Sequence, residues 1–397
     1  MPGFELFGNK ERKELNDVLE TGVLMRYGFD AMRRGHWKAR ELEQEIEKTL
    51  PVKHAQLTSS GTASLNVALA VMGVGYGDEV IMPTFTFVAS FEAVLLSGAV
   101  PVIVEIDDTL TLDPAAVEAA ITPRTKVIMP VHMCGSMADL DPLLDICKRH
   151  NLLLLEDACQ AYGASYKGKK LGTIGDAGAF SFDFVKTVTC GEGGAVVTNN
   201  DKYAVMADRY TDHGHDHVGN DRGAETHPNL GYNFRISELN AAVGLAQVRR
   251  TNEFVEIQKR NHAILHKALS TIPEISFRRL PDEEGDSCSF LNFFMPTARS
   301  ANKAIREFEK NGIDSCWSYY ENNWHYIRKW DHLKNMKSIY PLSDLVKKGL
   351  RNLNSASFPQ SDDFISRNIS CLIKLSWTEE EVKARAEKMV AAIKASL

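Results

Sequence analysis

Six short apolar runs alternating with helical patterns constrain this chain more than any other feature: EVIMP (79–83), VPVIVEI (100–106), KVIMPVHM (126–133), LLLLED (152–157), AGAFSF (177–182) and GAVVTN (194–199). Runs this continuously apolar leave no face for water, so they predict strands of a mostly parallel sheet covered on both faces by helices. Ahead of them the polar turn TSSGT leads into an apolar helix with Leu65, Leu69 and Met72 on one face and Gly73 closing it. Asp113 reads as an N-cap with Pro114 at the first helical position, and PLLDICKRH as a further helix. In α/β sheets of this kind ligands gather beyond the carboxyl ends of the strands.

From Ile236 the pattern changes. SELNAAVGLAQVRRTNEFVEIQKRNHAILHKAL reads as one long helical stretch containing the hinge between a large α/β domain, residues 1–256, and a smaller α+β domain, residues 257–397. Thr378 and Glu381 form a capping-box pattern for the last helix, whose Val382, Ala386, Met389 and Ile393 make a core-facing stripe. Lys and Arg total 46 against 52 Asp and Glu, a net charge of −6 with no basic stripe, which argues against nucleic acid as a partner. No apolar run reaches membrane-spanning length and the start lacks a signal-peptide pattern, so a cytoplasmic protein with no membrane partner is expected. Seven scattered cysteines without CxxC spacing suggest reduced thiols.

Three polar elements interrupt this apolar frame and converge on one chemistry. SSGT (59–62) stands where a loop enters a helix, whose N-terminus offers free N–H groups to a phosphate while Gly61 permits close approach. Asp157 closes the most apolar strand, a costly place for a carboxylate unless a cation or hydrogen-bond donor faces it. Lys186 follows AGAFSF and precedes the glycine-rich TCGEGGAVVTNN, and a partly buried amine there can form a Schiff base. Phosphate anchor, ring-nitrogen partner and imine-forming lysine are the contacts that pyridoxal 5′-phosphate requires. A nicotinamide-binding reading is weaker, because GTIGDAG lies late and not at the entry of a first βαβ helix.

These elements occur in the wording of a known group. SSGTASL, PTFTFVAS, EDACQAYGASYKGKKLGTIGDAGAFSF, the lysine with GEGGAVVTN, and GYNFRISELNAA together make the chain resemble the DegT/DnrJ/EryC1/StrS sugar aminotransferases over essentially its whole length. The resemblance implies the type I fold of pyridoxal phosphate enzymes and a homodimer with shared active sites. It also implies transfer of an amino group from glutamate to an oxo-sugar. By the same resemblance Lys186 would carry the cofactor and shuttle the proton, and Asp157 would pair with the ring nitrogen. Phe87 would stack on the ring, Gln160 would contact its 3-oxygen, and Gly61, Thr62 and Ser181 would hold the phosphate. Asn233 would reach the phosphate of the neighbouring subunit's cofactor. Some members carry His in place of the lysine and dehydrate instead; this chain keeps Lys186.

Acceptor choice must come from less general segments. DHGHDHVGNDRGAETHP (212–228), NNWHY (322–326) and KLSW resemble the branch of the family that aminates 8-oxo-3-deoxy-manno-octulosonate for lipopolysaccharide. That points to His215, His217, Arg222 and His325 as substrate contacts, with Arg222 suited to a carboxylate. The alternative acceptor is a nucleotide-linked 3- or 4-ketosugar. HGHDH offers alternating imidazoles, but no complete zinc signature accompanies it, so no metal is expected.

Overall fold

The structure is a computed structural model that describes residues 2–219 and 222–397. Among these, the chain lays down β1 (His54–Thr58), β2 (Glu79–Pro83), β3 (Val100–Val104), β4 (Thr125–Ile128) and β5 (Leu153–Asp157). A separate ribbon of β6 (Ser165–Tyr166) and β7 (Lys169–Lys170) follows, then β8 (Ala177–Ser181) and β9 (Gly194–Thr198). The main sheet has the order β1-β9-β8-β5-β4-β2-β3. Only β9 runs antiparallel to its neighbours; β5–β8, β4–β5, β2–β4 and β2–β3 are parallel. All six apolar runs are therefore strands of one mostly parallel sheet, with flanking helices burying both faces.

Strand β1 escapes the apolar criterion because HAQLT carries a polar centre. Gln56 is nevertheless buried, its amide donating to Thr211 Oγ1 at 3.0 Å. The ladder of β4 ends at Ile128, short of the apolar run, and Pro130, which has no N–H to give, lies just beyond. The chain continues alongside β5 even so: Asp157 N donates to Pro130 O at 2.9 Å and His132 N to Asp157 O at 3.0 Å. The helix Gly61–Val71 is capped by Ser60, whose Oγ accepts from Ala63 N at 3.1 Å. Its Leu65, Val67, Ala68 and Leu69 are all buried, so it is an interior helix rather than a one-faced one.

Residues 238–269 form two helices, Glu238–Val248 and Thr251–Leu269, not one. Arg250 leaves helical geometry at φ −103°, ψ 6°, and its guanidinium reaches back to Leu6 O at 2.7 Å. The change of direction lets the first helix bury nearly all round, with Gly244 against Leu42, while the second buries Thr251 and the stripe Phe254, Gln258, Asn261, Leu265 and Leu269. The second helix runs unbroken through positions 256 and 257.

A second, antiparallel sheet joins β10 (Ser276–Phe277), β11 (Phe290–Phe294), β12 (Cys316–Trp317) and β13 (Asn368–Leu372) in the order β10-β11-β13-β12. It shares a core with the helices Ala298–Lys310 and Glu379–Lys394; the latter has the expected capping box and buries Val382, Ala386, Met389 and Ile393. Residues between β12 and β13 return to the main core, where Tyr326, Trp330, Leu350 and Phe358 pack with Phe91 and Val100. The expectation of seven reduced thiols needs correction: Cys316 and Cys371 stand directly opposite one another across β12 and β13 and form a disulfide. The other five cysteines are free.

Candidate active site

Beyond the carboxyl ends of β1, β2, β5 and β8 lies a cavity of about 250 Å³. Its walls include Gly61, Thr62, Phe87, Asp157, Gln160, Ser181, Lys186 and His325. Register explains the first meeting: β5 and β8 are adjacent and parallel, with Asp157 opposite Ala179, so the turn after β8 brings Lys186 back over the end of β5. That turn is fixed by Lys186 N donating to Asp183 O at 3.0 Å and Gly3 N donating to Lys186 O at 2.9 Å. Lys186 thus sits on a loop beyond the strand, partly buried, while Phe184 and Val185 beside it are exposed.

Asp157 is 3% exposed. Ser90 Oγ donates to its Oδ2 at 2.6 Å and the Cys159 amide to its Oδ1 at 3.2 Å. Among the described residues no lysine, arginine or histidine forms an ion pair with it, so the protein itself supplies no cationic partner for this buried carboxylate. Its neighbour Glu156 points to the other face of the sheet. There it accepts from Gly172, Ile174 and Gly175 amides at 2.8, 2.6 and 2.7 Å and from His132 Nε2 at 2.9 Å. The glycines of LGTIGDAG therefore serve a buried carboxylate, and Gly178 is required because any Cβ would lie 2.0 Å from Gly172 O.

At the opposite wall the helix Gly61–Val71 presents its N-terminus, and the Gly61 and Thr62 amides find no acceptor among the described residues. Ser181 closes this corner so tightly that a Cβ on Gly61 would lie 2.6 Å from Ser181 Cβ. Phe87, the residue before the helix Val88–Leu96, has Trp324 parallel at 5.7 Å and His325 at 5.3 Å between ring centroids. Thr86 N donates to His325 O and Val88 N to Trp324 O, which straps residues 324–326 along the chain leaving β2. Gln160 is oriented by the Cys134 amide, which donates to its Oε1 at 2.9 Å. Burial pushes the His325 imidazole down to about 3, and the Lys186 charge adds to the effect, so the ring is neutral at physiological pH.

The other residues singled out from sequence lie outside the walls of this cavity. Asn233 is exposed, bridged to Asp212 and accepting from Arg235 N. His217 sits between Asp208 at 2.6 Å and Asp212 at 3.0 Å with Tyr27 stacked on it at 4.1 Å. Arg222 pairs with Asp212 at 3.0 Å and His215 with Glu225 at 2.8 Å. Although burial opposes it, the hydrogen bond from His217 and the charges of Arg235 and Arg222 hold the Asp212 carboxyl well below its usual range. Within this chain both His217 nitrogens thus have hydrogen-bond partners, whereas Arg222 Nη1 has none among the described residues and the His215–Glu225 contact is an ion pair without hydrogen-bond geometry. Ser90 was not foreseen, although a serine one turn into the apolar VASFEAVLL was a signal; it also bonds Thr86 Oγ1 at 2.6 Å.

A model of the DegT/DnrJ/EryC1/StrS aminotransferase family matches residues 7–363. The chain belongs to that family. Over 371 residues it is 33% identical to the GDP-perosamine synthase of Vibrio cholerae, covering 92% of this chain and 96% of that one. To the GDP-perosamine synthase of Caulobacter vibrioides it is 45% identical over 221 residues, 55% of this chain and 58% of the relative, less than two thirds of the relative's length. The crystal structure of 3-amino-5-hydroxybenzoic acid synthase superposes with a TM-score of 0.81 at 32% identity, over 98% of this chain and 97% of that one. The family member described here has the type I fold of pyridoxal phosphate-dependent aminotransferases and is a transferase that uses pyridoxal 5′-phosphate. Its cavity fits that group on two counts: the unpartnered Gly61 and Thr62 amides suit a phosphate, and the buried Asp157 suits a protonated ring nitrogen.

Proposed function

We propose that this family member moves an amino group from glutamate to an oxo-sugar, and that the acceptor is a ketosugar linked to a nucleotide. The observation that carries the reading is the shared cavity of Lys186, Asp157 and the Gly61–Thr62 helix start. The cofactor supplies an aldehyde that carries nitrogen from donor to acceptor and a ring that stores electrons meanwhile. The Gly61 and Thr62 amides and Ser181 would hold its phosphate, Phe87 would cover a ring face, and Gln160 would meet the 3-oxygen. Asp157, steadied by Ser90, keeps the ring nitrogen protonated. Lys186 Nζ holds the cofactor between turnovers and moves one proton in each half of the reaction. Asn233 reaches the phosphate site of a second copy in a homodimer, which suits its exposure here.

Alignment with two GDP-perosamine synthases supports a nucleotide-linked acceptor. One observation favours a second reading, 8-oxo-3-deoxy-manno-octulosonate: NNWHY, one of the segments on which it rests, reaches the cavity through His325 and lies against Phe87 through Trp324. Arg222 lies outside the cavity walls and shares the Asp212 carboxylate with Arg235 and His217, so it lends this reading no contact in the cavity. Incubation of holoenzyme with glutamate and either acceptor decides between them by release of 2-oxoglutarate and mass of the amino sugar. Turnover of the octulosonate alone overturns the nucleotide reading, and turnover of neither overturns the sugar reading.

A further inference from the structure

Between the helix Thr251–Leu269 and the start of β11 lies a second cavity, of about 330 Å³, walled by His262, His266, Arg278, Asp286, Cys288 and Asn292 among others. It shares no wall residue with the cofactor cavity. One ligand-type atom each from His262, Asp286 and Cys288 lies within 4.8 Å of the other two. Asp286 is 2% exposed and its Oδ1 has no hydrogen-bond partner among the described residues, while its Oδ2 accepts from Cys288 N at 3.0 Å. Arg278, 6% exposed, gives Nη1 to Met133 O at 2.7 Å and Nε to Thr109 O, but its Nη2 is unpartnered. Buried orphan groups of opposite charge in one cavity are expensive and call for a ligand.

The donors are held in place before any ligand arrives. Ser287 Oγ donates to Gly135 O at 2.8 Å, Lys259 Nζ to Glu284 O at 2.7 Å and Ser165 N to Gly285 O at 2.8 Å. Gly285 packs so closely that a Cβ would lie 2.2 Å from Ser165 O. Cys288 adopts φ +55°, a left-handed conformation disfavoured for a residue with a side chain. His266 stands one turn after His262 on the same helix, its ring 5.8 Å away.

We propose that His262, Asp286 and Cys288 form a binding site for a borderline-soft divalent cation of the zinc class, separate from the aminotransferase centre. Imidazole, carboxylate and thiolate are the donor set such an ion takes, with a fourth, open position facing the cavity. On binding, the Cys288 thiol releases one proton to solvent and its sulfur bonds the metal. Asp286, the Cys288 thiolate and Glu283, which also walls the cavity, then offset the charges of the ion and Arg278.

The test uses full-length holoenzyme stripped with a chelator and titrated with Zn²⁺ against a fluorescent zinc indicator, beside Cys288→Ala and His262→Gln. One Zn²⁺ per chain is expected, with affinity falling more than about tenfold in each variant while cofactor absorbance reports an intact fold. Co²⁺ should give a thiolate charge-transfer band that alkylation of Cys288, mapped by peptide mass spectrometry, abolishes. The band keeps the test valid if a variant misfolds. Absence of zinc binding, unchanged affinity in folded variants, or a Co²⁺ complex without that band overturns the site.

Discussion

Replacing Ser90 by alanine removes the hydroxyl that donates to Asp157 Oδ2 across 2.6 Å, in surroundings where the carboxylate is 3% exposed. A hydrogen bond to a charged acceptor contributes about 1.5–3 kcal/mol. The Cys159 amide remains on the other oxygen, so the carboxylate is under-satisfied rather than stranded. Thr86 also loses its 2.6 Å contact, worth about 0.5–1.5 kcal/mol, though it keeps a longer bond to Phe87 O. Ser90→Ala should therefore destabilise the apoenzyme by about 2–4.5 kcal/mol on these figures. In an Asp157→Ala background only the Thr86 share remains, about 1 kcal/mol, so the double-mutant cycle should show a coupling of about 1.5 kcal/mol or more. Urea unfolding of the four apoproteins, followed by tryptophan fluorescence, measures it. A coupling below about 0.5 kcal/mol, the ordinary scatter of additive sites, would refute the claim that Ser90 steadies Asp157.

Lys186→Ala should retain cofactor through phosphate and ring contacts yet slow the glutamate half-reaction by about 10²–10⁴-fold, read by stopped-flow absorbance; full speed would remove Lys186 from the chemistry. Gly61→Ala puts a Cβ 2.6 Å from Ser181 Cβ, so the cofactor dissociation constant should rise at least about tenfold in an absorbance titration, the equivalent of one charge-assisted bond. The pH dependence of stability carries the signature of His217. Burial opposes its charge, yet Asp208 and Asp212 push it up from 6.5 to about 9. A raised value stabilises the fold fully below pH 6.5 and fades as pH climbs through about 9, so the thermal midpoint should decline across that window and flatten in His217→Gln. Asp212, held low, works in the other sense, its contribution present above 3.8 and lost in acid.

The strands were legible because an apolar run buried on both faces has few other fates, and Asp157 stood out because it ends such a run. His54–Thr58 was not, since Gln56 looks like a surface residue until Thr211 is known to meet its amide. Periodicity carried 238–269 across Arg250 because the break occupies one residue, whose guanidinium meets the distant Leu6 O and Glu11. The cofactor cavity was readable from local wording, loop before helix and carboxylate at strand end. The histidines and arginine of 212–228 were read as awaiting a ligand; His215 and Arg222 instead meet Glu225 and Asp212 within the segment, and His217 also meets Asp208 in the preceding helix, where spacing gives no sign of it. The disulfide needed the cross-strand register of Cys316 and Cys371, which separation by 55 residues conceals.

Glu156 and Asp157 occupy consecutive positions on β5, one bracing the 172–175 turn and the other facing the cofactor cavity. Alternation along a strand makes this pair intolerant of slippage: inserting or deleting one residue upstream would send the brace into the Lys186 cavity and turn Asp157 to the opposite face of the sheet. Length changes in β5 can be accommodated only two residues at a time, which makes this strand a ruler for engineering as well as a support.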